Sequence, residues 1–268
     1  MALVAITRDV SASIGDCALS FVERHPIDVD RAIAQHHGYR KALASLGCRV
    51  VDLPAQDELP DAVFVEDVAL VLDEVAVLTR PGAASRRGEV EPVAKALAGY
   101  RPLLRIVAAG TLDGGDVLRL GRDIFVGQSA RSNADGIAQL RALLAGHGYR
   151  VHGVPTRGCL HLKSAVTQVA DGTLLVQPAW VDPAIFAGCR RVEVDPAEEH
   201  AANALRIGAG VVYPDCFPRT RQRLEAAGIA VTTVDVSELQ KAEGAVTCCS
   251  LVFDARPAGV TMAPAALA

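Results

Sequence analysis

Aromatic side chains are scarce in this chain of 268 residues, which has six Phe, four Tyr and one Trp, and Met occurs only twice. A core so short of rings must be filled by Ala, Val, Leu and Ile at close backbone approach. Long apolar runs are also missing. The longest, such as Val68 to Leu72, fall far short of the roughly 18 residues that span a bilayer, so no membrane partner is expected. Arg8 and Asp9 interrupt the opening apolar run, so no signal-peptide core is expected there. No block of five like charges occurs and the net charge is −4, which removes the electrostatic footprint of a nucleic-acid binder. The seven cysteines are odd in number and show no C-x-x-C pairing. They read as reduced thiols of a cytoplasmic protein.

Half of the residues are hydrophobic and 22% are charged, with a mean hydropathy of +0.25. That excludes intrinsic disorder and leaves ample material for a core. At about 150 residues per domain, one large or two small domains would fit. No long linker divides the chain, so residues 1–255 are read as one α/β domain. The Ala-rich tail 256–268 is expected to be loose and to carry no chemistry.

Helical periodicity predicts helices at Val29 to Leu46, Arg86 to Leu97, Ser132 to Leu144 and Arg219 to Ala226, with Gly47, Gly99, Gly146 and Gly228 as left-handed caps. Aliphatic and β-branched runs predict strands, opening with Leu3 to Ile6, Arg49 to Leu53, Val63 to Val65, Val68 to Leu72 and Val75 to Thr79. Later strands include Val117 to Leu120, Ser164 to Val169 and Ser250 to Phe253. Polar residues at strand starts recur: Glu66, Asp113, His161, Asn203 and Cys249, at intervals of 47, 48, 42 and 46 residues. Five stacked units of one supersecondary pattern would form a ring, bringing these strand starts to a common centre. A doubly wound sheet with accidental spacing is the alternative.

Five motifs carry chemistry. Phe64-Val65-Glu66-Asp67, with Asp61 upstream, gathers three acids in seven residues. It suits a cationic ligand, or a solvated strand-end turn. Asp113-Gly114-Gly115-Asp116 allows backbone to approach a ligand closely, or makes a plain hairpin. His161 starts an apolar strand and can serve as acid and base, or as a structural hydrogen-bonding residue. Vicinal Cys248 and Cys249 precede another strand, where successive side chains face opposite ways, so only one can face a central site. A buried structural thiol, a thiophilic metal ligand and a nucleophile all remain open for them. Arg86 and Arg131 lie at predicted helix starts, where a cation gains nothing from the helix dipole; each suits capture of a carboxylate, or simple solvation.

Together these strings, with Thr79-Arg80-Pro81-Gly82-Ala83, resemble the dimethylarginine dimethylaminohydrolase family from about Arg8 to Phe253. The resemblance implies the pentein fold, a five-bladed α/β propeller of pseudo-fivefold ββαβ repeats. It implies Cys249 as nucleophile, His161 as general acid and base, and Asp113 as the acid that orients the histidine, where other members carry Glu. It further implies Asp61, Glu66 and Asp67 as substrate-binding acids, Arg86 and Arg131 as holders of the amino acid's carboxylate, and Leu19 as part of a closing loop. The implied reaction turns N-methylated arginine into citrulline and an alkylamine through a cysteine-bound thiouronium, with no metal or organic cofactor. The partner is a small cationic amino acid, and a homo-oligomer is compatible with the sequence. Hydrolysis of unmethylated arginine, a non-catalytic guanidine-binding module and a metal sensor using a cysteine with His161 are the competing functions.

Overall fold

The computed structural model describes residues 2–255, so the expectation for the tail 256–268 lies outside the described residues. The sheets share one pattern: a first strand runs antiparallel to a central strand, and a crossover returns a third strand parallel to it. In chain order, β1 (Leu3–Arg8), α1 (Val29–Ser45) and β2 (Cys48–Leu53) begin a sheet that the last strand completes. β3 (Ala69–Val71), β4 (Ala76–Leu78), α2 (Val90–Leu97) and β5 (Leu103–Arg105) form the next unit. β6 (Val117–Leu120), β7 (Asp123–Gln128), α3 (Ala134–Ala145) and β8 (Arg150–Pro155) follow. β9 (Val166–Ala170), β10 (Thr173–Val176) and β11 (Arg190–Glu193) make the fourth unit, whose crossover holds only a 3₁₀ turn. β12 (Leu205–Ile207), β13 (Gly210–Pro214), α4 (Pro218–Ala226) and β14 (Ala230–Val234) form the fifth. β15 (Leu251–Asp254) pairs antiparallel with β1 and joins the two ends of the chain.

Five small three-stranded sheets built this way agree with the five units read from the spacing and are the pentein architecture that the family resemblance implies. Central strands are apolar because both faces are covered: β4 and β10 are buried throughout. Third strands lie at the sheet edges and are mostly exposed, as in β8 and β11. In α1 the Asp28 side chain caps the N-terminus by accepting from Arg31 N at 3.0 Å. Its buried face runs Ala32, Gln35, Tyr39 and Leu43, at helical spacing.

A chain of hydrogen bonds runs round the strand starts. Asp67 Oδ1 accepts from Gly115 N at 2.9 Å, and Asp116 Oδ1 from Leu162 N at 3.0 Å. Asn203 donates to Lys163 O at 3.1 Å and accepts from Thr247 N at 3.1 Å. Glu66 N donates to Cys248 O at 3.1 Å and returns to the first unit. Glu66, Asp113, His161, Asn203 and Cys249, spaced so evenly in sequence, are all buried. Polar groups out of water need such partners, which is why polar residues begin each repeat.

Some expectations change. Val63 to Val65 is not a strand; the segment coils into a 3₁₀ turn, Val65–Val68, that turns Glu66 N toward the neighbouring unit. Ser164 likewise belongs to a helical turn, Leu162–Ala165, ahead of β9. Gly47 and Gly228 have positive φ as expected, whereas Gly146 has φ −70° and the left-handed residue after α3 is Gly148. β11 and β12 have no aliphatic run to announce them, with Arg190-Arg191-Val192-Glu193 in one and only Leu205-Arg206-Ile207 in the other. Among the described residues no helix is long and apolar enough to cross a membrane.

Candidate active site

The turns before β3, β6 and β9 bring Asp67, Asp113 and His161 together, with ligand atoms within 4.8 Å of one another. His161 Nε2 lies 3.1 Å from Asp113 Oδ2, and Nδ1 lies 4.0 Å from Asp67 Oδ1. Asp113 is itself fixed: its Oδ1 accepts from Gly82 N at 2.9 Å and its own N–H reaches Ser132 Oγ at 3.1 Å. The paired glycines serve close approach and not a hairpin reversal. A Cβ on Gly115 would stand 2.5 Å from His161 Nδ1, and one on Gly114 would stand 2.0 Å from Glu66 O.

This packing sets protonation. Burial alone would push the His161 imidazole down, but Asp67, the Asp113 hydrogen bond and Asp116 override it and raise its pKa from 6.5 to about 9. Burial would likewise raise Asp67; His161 and Arg86 prevail and lower it to about 2. The result is an imidazolium clasped by carboxylates. Arg86 completes the clasp, with Nη1 2.6 Å from Asp67 Oδ2 while Nε and Nη2 pair with Glu89 at 3.0 and 2.8 Å. Burial lifts Glu89 to about 7 despite Arg86.

Asp61, Asp67, Arg86, Arg131, His161 and Cys248 line one cavity, roofed by Ala18 and Glu243. Arg131 reaches Ser20 Oγ at 3.2 Å and lies 3.8 Å from Asp113 Oδ2. Asp61 receives Ala18 N at 3.1 Å, and burial raises its pKa. Cys248 brings the sulfur; burial, with Glu66 and Asp67 nearby, pushes its thiol up to about 12. A thiol, an imidazolium, three carboxylates and two guanidiniums around one space can bind a planar cation, attack it and protonate a leaving group.

The chain is 39% identical over 249 residues to the N(G),N(G)-dimethylarginine dimethylaminohydrolase of Streptomyces coelicolor, covering 92% of this chain and 95% of that one. It is 36% identical over 228 residues to the enzyme of the same name from Pseudomonas aeruginosa, covering 84% and 90%. The chain belongs to the dimethylarginine dimethylaminohydrolase family. Its fold agrees. The Pseudomonas aeruginosa enzyme, solved as a Cys-to-Ser mutant complexed with citrulline, matches with a TM-score of 0.89 at 33% identity, over 94% of this chain and 100% of that one. No protein-family model matches the chain. As a family member it is a hydrolase of amidino carbon–nitrogen bonds.

Three of the expected side chains do not line this cavity of the dimethylarginine dimethylaminohydrolase fold. Both cysteines belong to the core cluster that contains Tyr39, but Cys249 is fully buried with its Sγ 3.4 Å from Ala245 O, and of the two it is Cys248 that lines the cavity. The two diverge because adjacent side chains at a strand start leave the backbone in different directions. Glu66 turns away from Asp67 for the same reason. Its carboxylate pairs with Lys163 Nζ at 2.5 Å and lines a separate cavity of about 510 Å³. Leu19 packs on the core, while its neighbour Ala18 faces the site.

Sequence reasoning missed Glu89, which sits three residues after Arg86 at helical spacing, a legible signal for an ion pair. It also missed Glu243, a lone acid in a polar turn that nothing in the sequence marks. Asp67, Asp113 and His161 offer ligand atoms within 4.8 Å of one another, as a metal site would. Those atoms are already engaged by Gly115, Arg86 and Gly82, and neither cysteine belongs to the group.

Proposed function

We propose that this enzyme hydrolyses Nω-methylated arginine, both asymmetric dimethylarginine and monomethylarginine, to citrulline plus dimethylamine or methylamine, with Cys248 as nucleophile. The supporting observation is the shared cavity in which Cys248 and a buried, doubly clasped His161 meet Asp61, Asp67, Arg86 and Arg131. The guanidinium is planar and resonance-stabilised, so positioning comes first: Asp67 receives it, while Arg131 takes the carboxylate at the other end. A bound cation beside Cys248 opposes the two acids that hold the thiol protonated, so substrate arrival itself favours thiolate.

Sulfur then bonds to the guanidinium carbon. The carbon–nitrogen bond to the methylated nitrogen breaks, that nitrogen takes the proton of His161 and leaves as a neutral amine, and a thiouronium stays on Cys248. Neutral His161 next removes a proton from water, the oxygen adds to the same carbon, and the carbon–sulfur bond breaks to return thiolate and release the ureido product. Asp113 holds the imidazole in line through both steps.

A citrulline assay on arginine, monomethylarginine and asymmetric dimethylarginine tests the reading. Turnover of the methylated substrates in preference to arginine supports it. Turnover of arginine alone would make the protein a deiminase, and none at all would make it a binding module.

A further inference from the structure

Buried charges of alternating sign run in a row through the site. Glu89 lies 2.8 Å from Arg86, Arg86 2.6 Å from Asp67, Asp67 4.0 Å from His161, His161 3.1 Å from Asp113 and Asp113 3.8 Å from Arg131. Every member is buried. Asp67, Arg86, His161 and Arg131 line the catalytic cavity, and Asp113 orients the histidine from behind. Glu89 ends the row outside the cavity, and the reaction described so far gives it no task.

Its grip on Arg86 is specific. Arg86 Nε and Nη2 donate to the two oxygens of Glu89 at 3.0 and 2.8 Å, and Nη2 also reaches Phe64 O at 3.2 Å. A planar guanidinium held along one edge by a carboxylate fork cannot turn, so the opposite corner, Nη1, is fixed toward Asp67 Oδ2 at 2.6 Å. With Oδ1 accepting from Gly115 N at 2.9 Å, Asp67 is held at both oxygens. Stability does not account for such a pair: a buried ion pair loses about as much in desolvation as it gains, and apolar side chains of similar volume often serve as well.

Charge is what apolar substitutes could not supply. Without Glu89, Arg86 would stand as a net positive charge against Asp67 and draw that carboxylate away from the imidazolium. The charged groups acting on Glu89 are Arg86, Asp61 and Asp67. Arg8, fully buried at the end of β1, lies on the same acid: Glu89 is first, ahead of Glu58, among the charges that offset its burial. Those acting on His161 are Asp67, Asp116 and Asp113.

We propose that Glu89 is a positioning residue for the amidine hydrolysis: it fixes Arg86 against Asp67 and cancels the Arg86 charge, leaving Asp67 free to hold His161 as the imidazolium that protonates the leaving amine. This rests on the reading of His161 as the acid.

Histidine-labelled enzyme without substrate is titrated by NMR as wild type, Glu89→Gln and Glu89→Asp, with the His161 signal assigned by its loss in His161→Gln. The Gln amide offers one acceptor in place of two and carries no charge, whereas Asp restores the charge. His161 is expected to titrate at about 9 in wild type and close to that in Glu89→Asp. In Glu89→Gln it should titrate lower by about one pH unit, the effect of removing one buried charge two residues along the row. The alkaline limb of kcat on methylarginine should move down with it. A lower melting temperature alone would fit a merely structural pair, so a folded Glu89→Gln with unchanged His161 titration overturns the proposal, as does a wild-type His161 titrating near 6.5. Should Glu89→Gln not fold, hydrogen exchange at Nε in wild type decides: Arg86 is expected to exchange about tenfold or more slowly than Arg131, and equal rates overturn the grip. The expected titrations without turnover of any methylarginine count against the proposed reaction alone.

Discussion

Cys248 and Cys249 are neighbours in the chain but are placed differently: Cys248 lines the cavity that holds His161, whereas Cys249 does not and has its Sγ 3.4 Å from Ala245 O. Cys248→Ser should therefore reduce citrulline formation by about 10³-fold or more, the loss expected when a covalent nucleophile is removed. Cys249→Ser should keep turnover within several-fold and lose some stability. Mass spectrometry of a trapped substrate adduct, located by peptide mapping, checks the site, and an adduct on Cys249 would reverse the assignment.

Gly115→Ala should impair chemistry more than folding. The added methyl would lie 2.5 Å from His161 Nδ1 and 2.9 Å from Asp67 Oδ1, so the imidazole must shift. Overpacking of this kind costs about 1–3 kcal/mol in stability, whereas a displacement approaching 1 Å costs about 10²-fold in rate. Parallel kcat and thermal-melt measurements separate the two effects.

Asp113→Asn removes the acceptor that orients His161 Nε2 at 3.1 Å. A fall in kcat of about 10²–10⁴ is expected, with KM little changed, by analogy with other carboxylate–histidine pairs. Wild-type turnover would dismiss the orienting role.

The pH dependence follows from the two perturbed groups. Free enzyme at neutral pH holds Cys248 as thiol, pushed up to about 12, and His161 as imidazolium, with a pKa near 9. Ultraviolet thiolate absorbance should be absent from the free enzyme and appear when a guanidinium ligand binds. Rate should rise with pH as thiolate forms and fall above about 9 as His161 loses the proton it must donate. Linkage has a definite sign. The folded pKa of His161 lies above its unfolded value of 6.5, so its stabilisation is complete below about 6.5 and is lost as pH rises through about 9. A melting temperature that rose across that window in wild type relative to His161→Gln would contradict the clasp.

Arg131→Ala should raise KM by roughly 10- to 100-fold with a smaller effect on kcat, because an ion pair to the substrate carboxylate is made in ground and transition states alike. An unchanged KM would remove Arg131 from substrate binding.

The sequence by itself determined the repeat and most of the chemistry. A 42–48-residue spacing of polar strand starts is legible because buried polar groups must meet partners, and five such turns satisfy one another only around a common centre. His161, Asp113, Asp67, Asp61, Arg86 and Arg131 could be named from motif and resemblance. Tertiary structure decided which face each side chain took. Between adjacent residues such as Glu66 and Asp67, or Cys248 and Cys249, composition and spacing are indifferent. The choice is made by a single turn of backbone whose N–H groups bond to the next unit. Glu243 is the extreme case: its neighbours Ser20 to Val22 lie more than 220 residues away in the chain, so only the folded molecule brings loop and acid together.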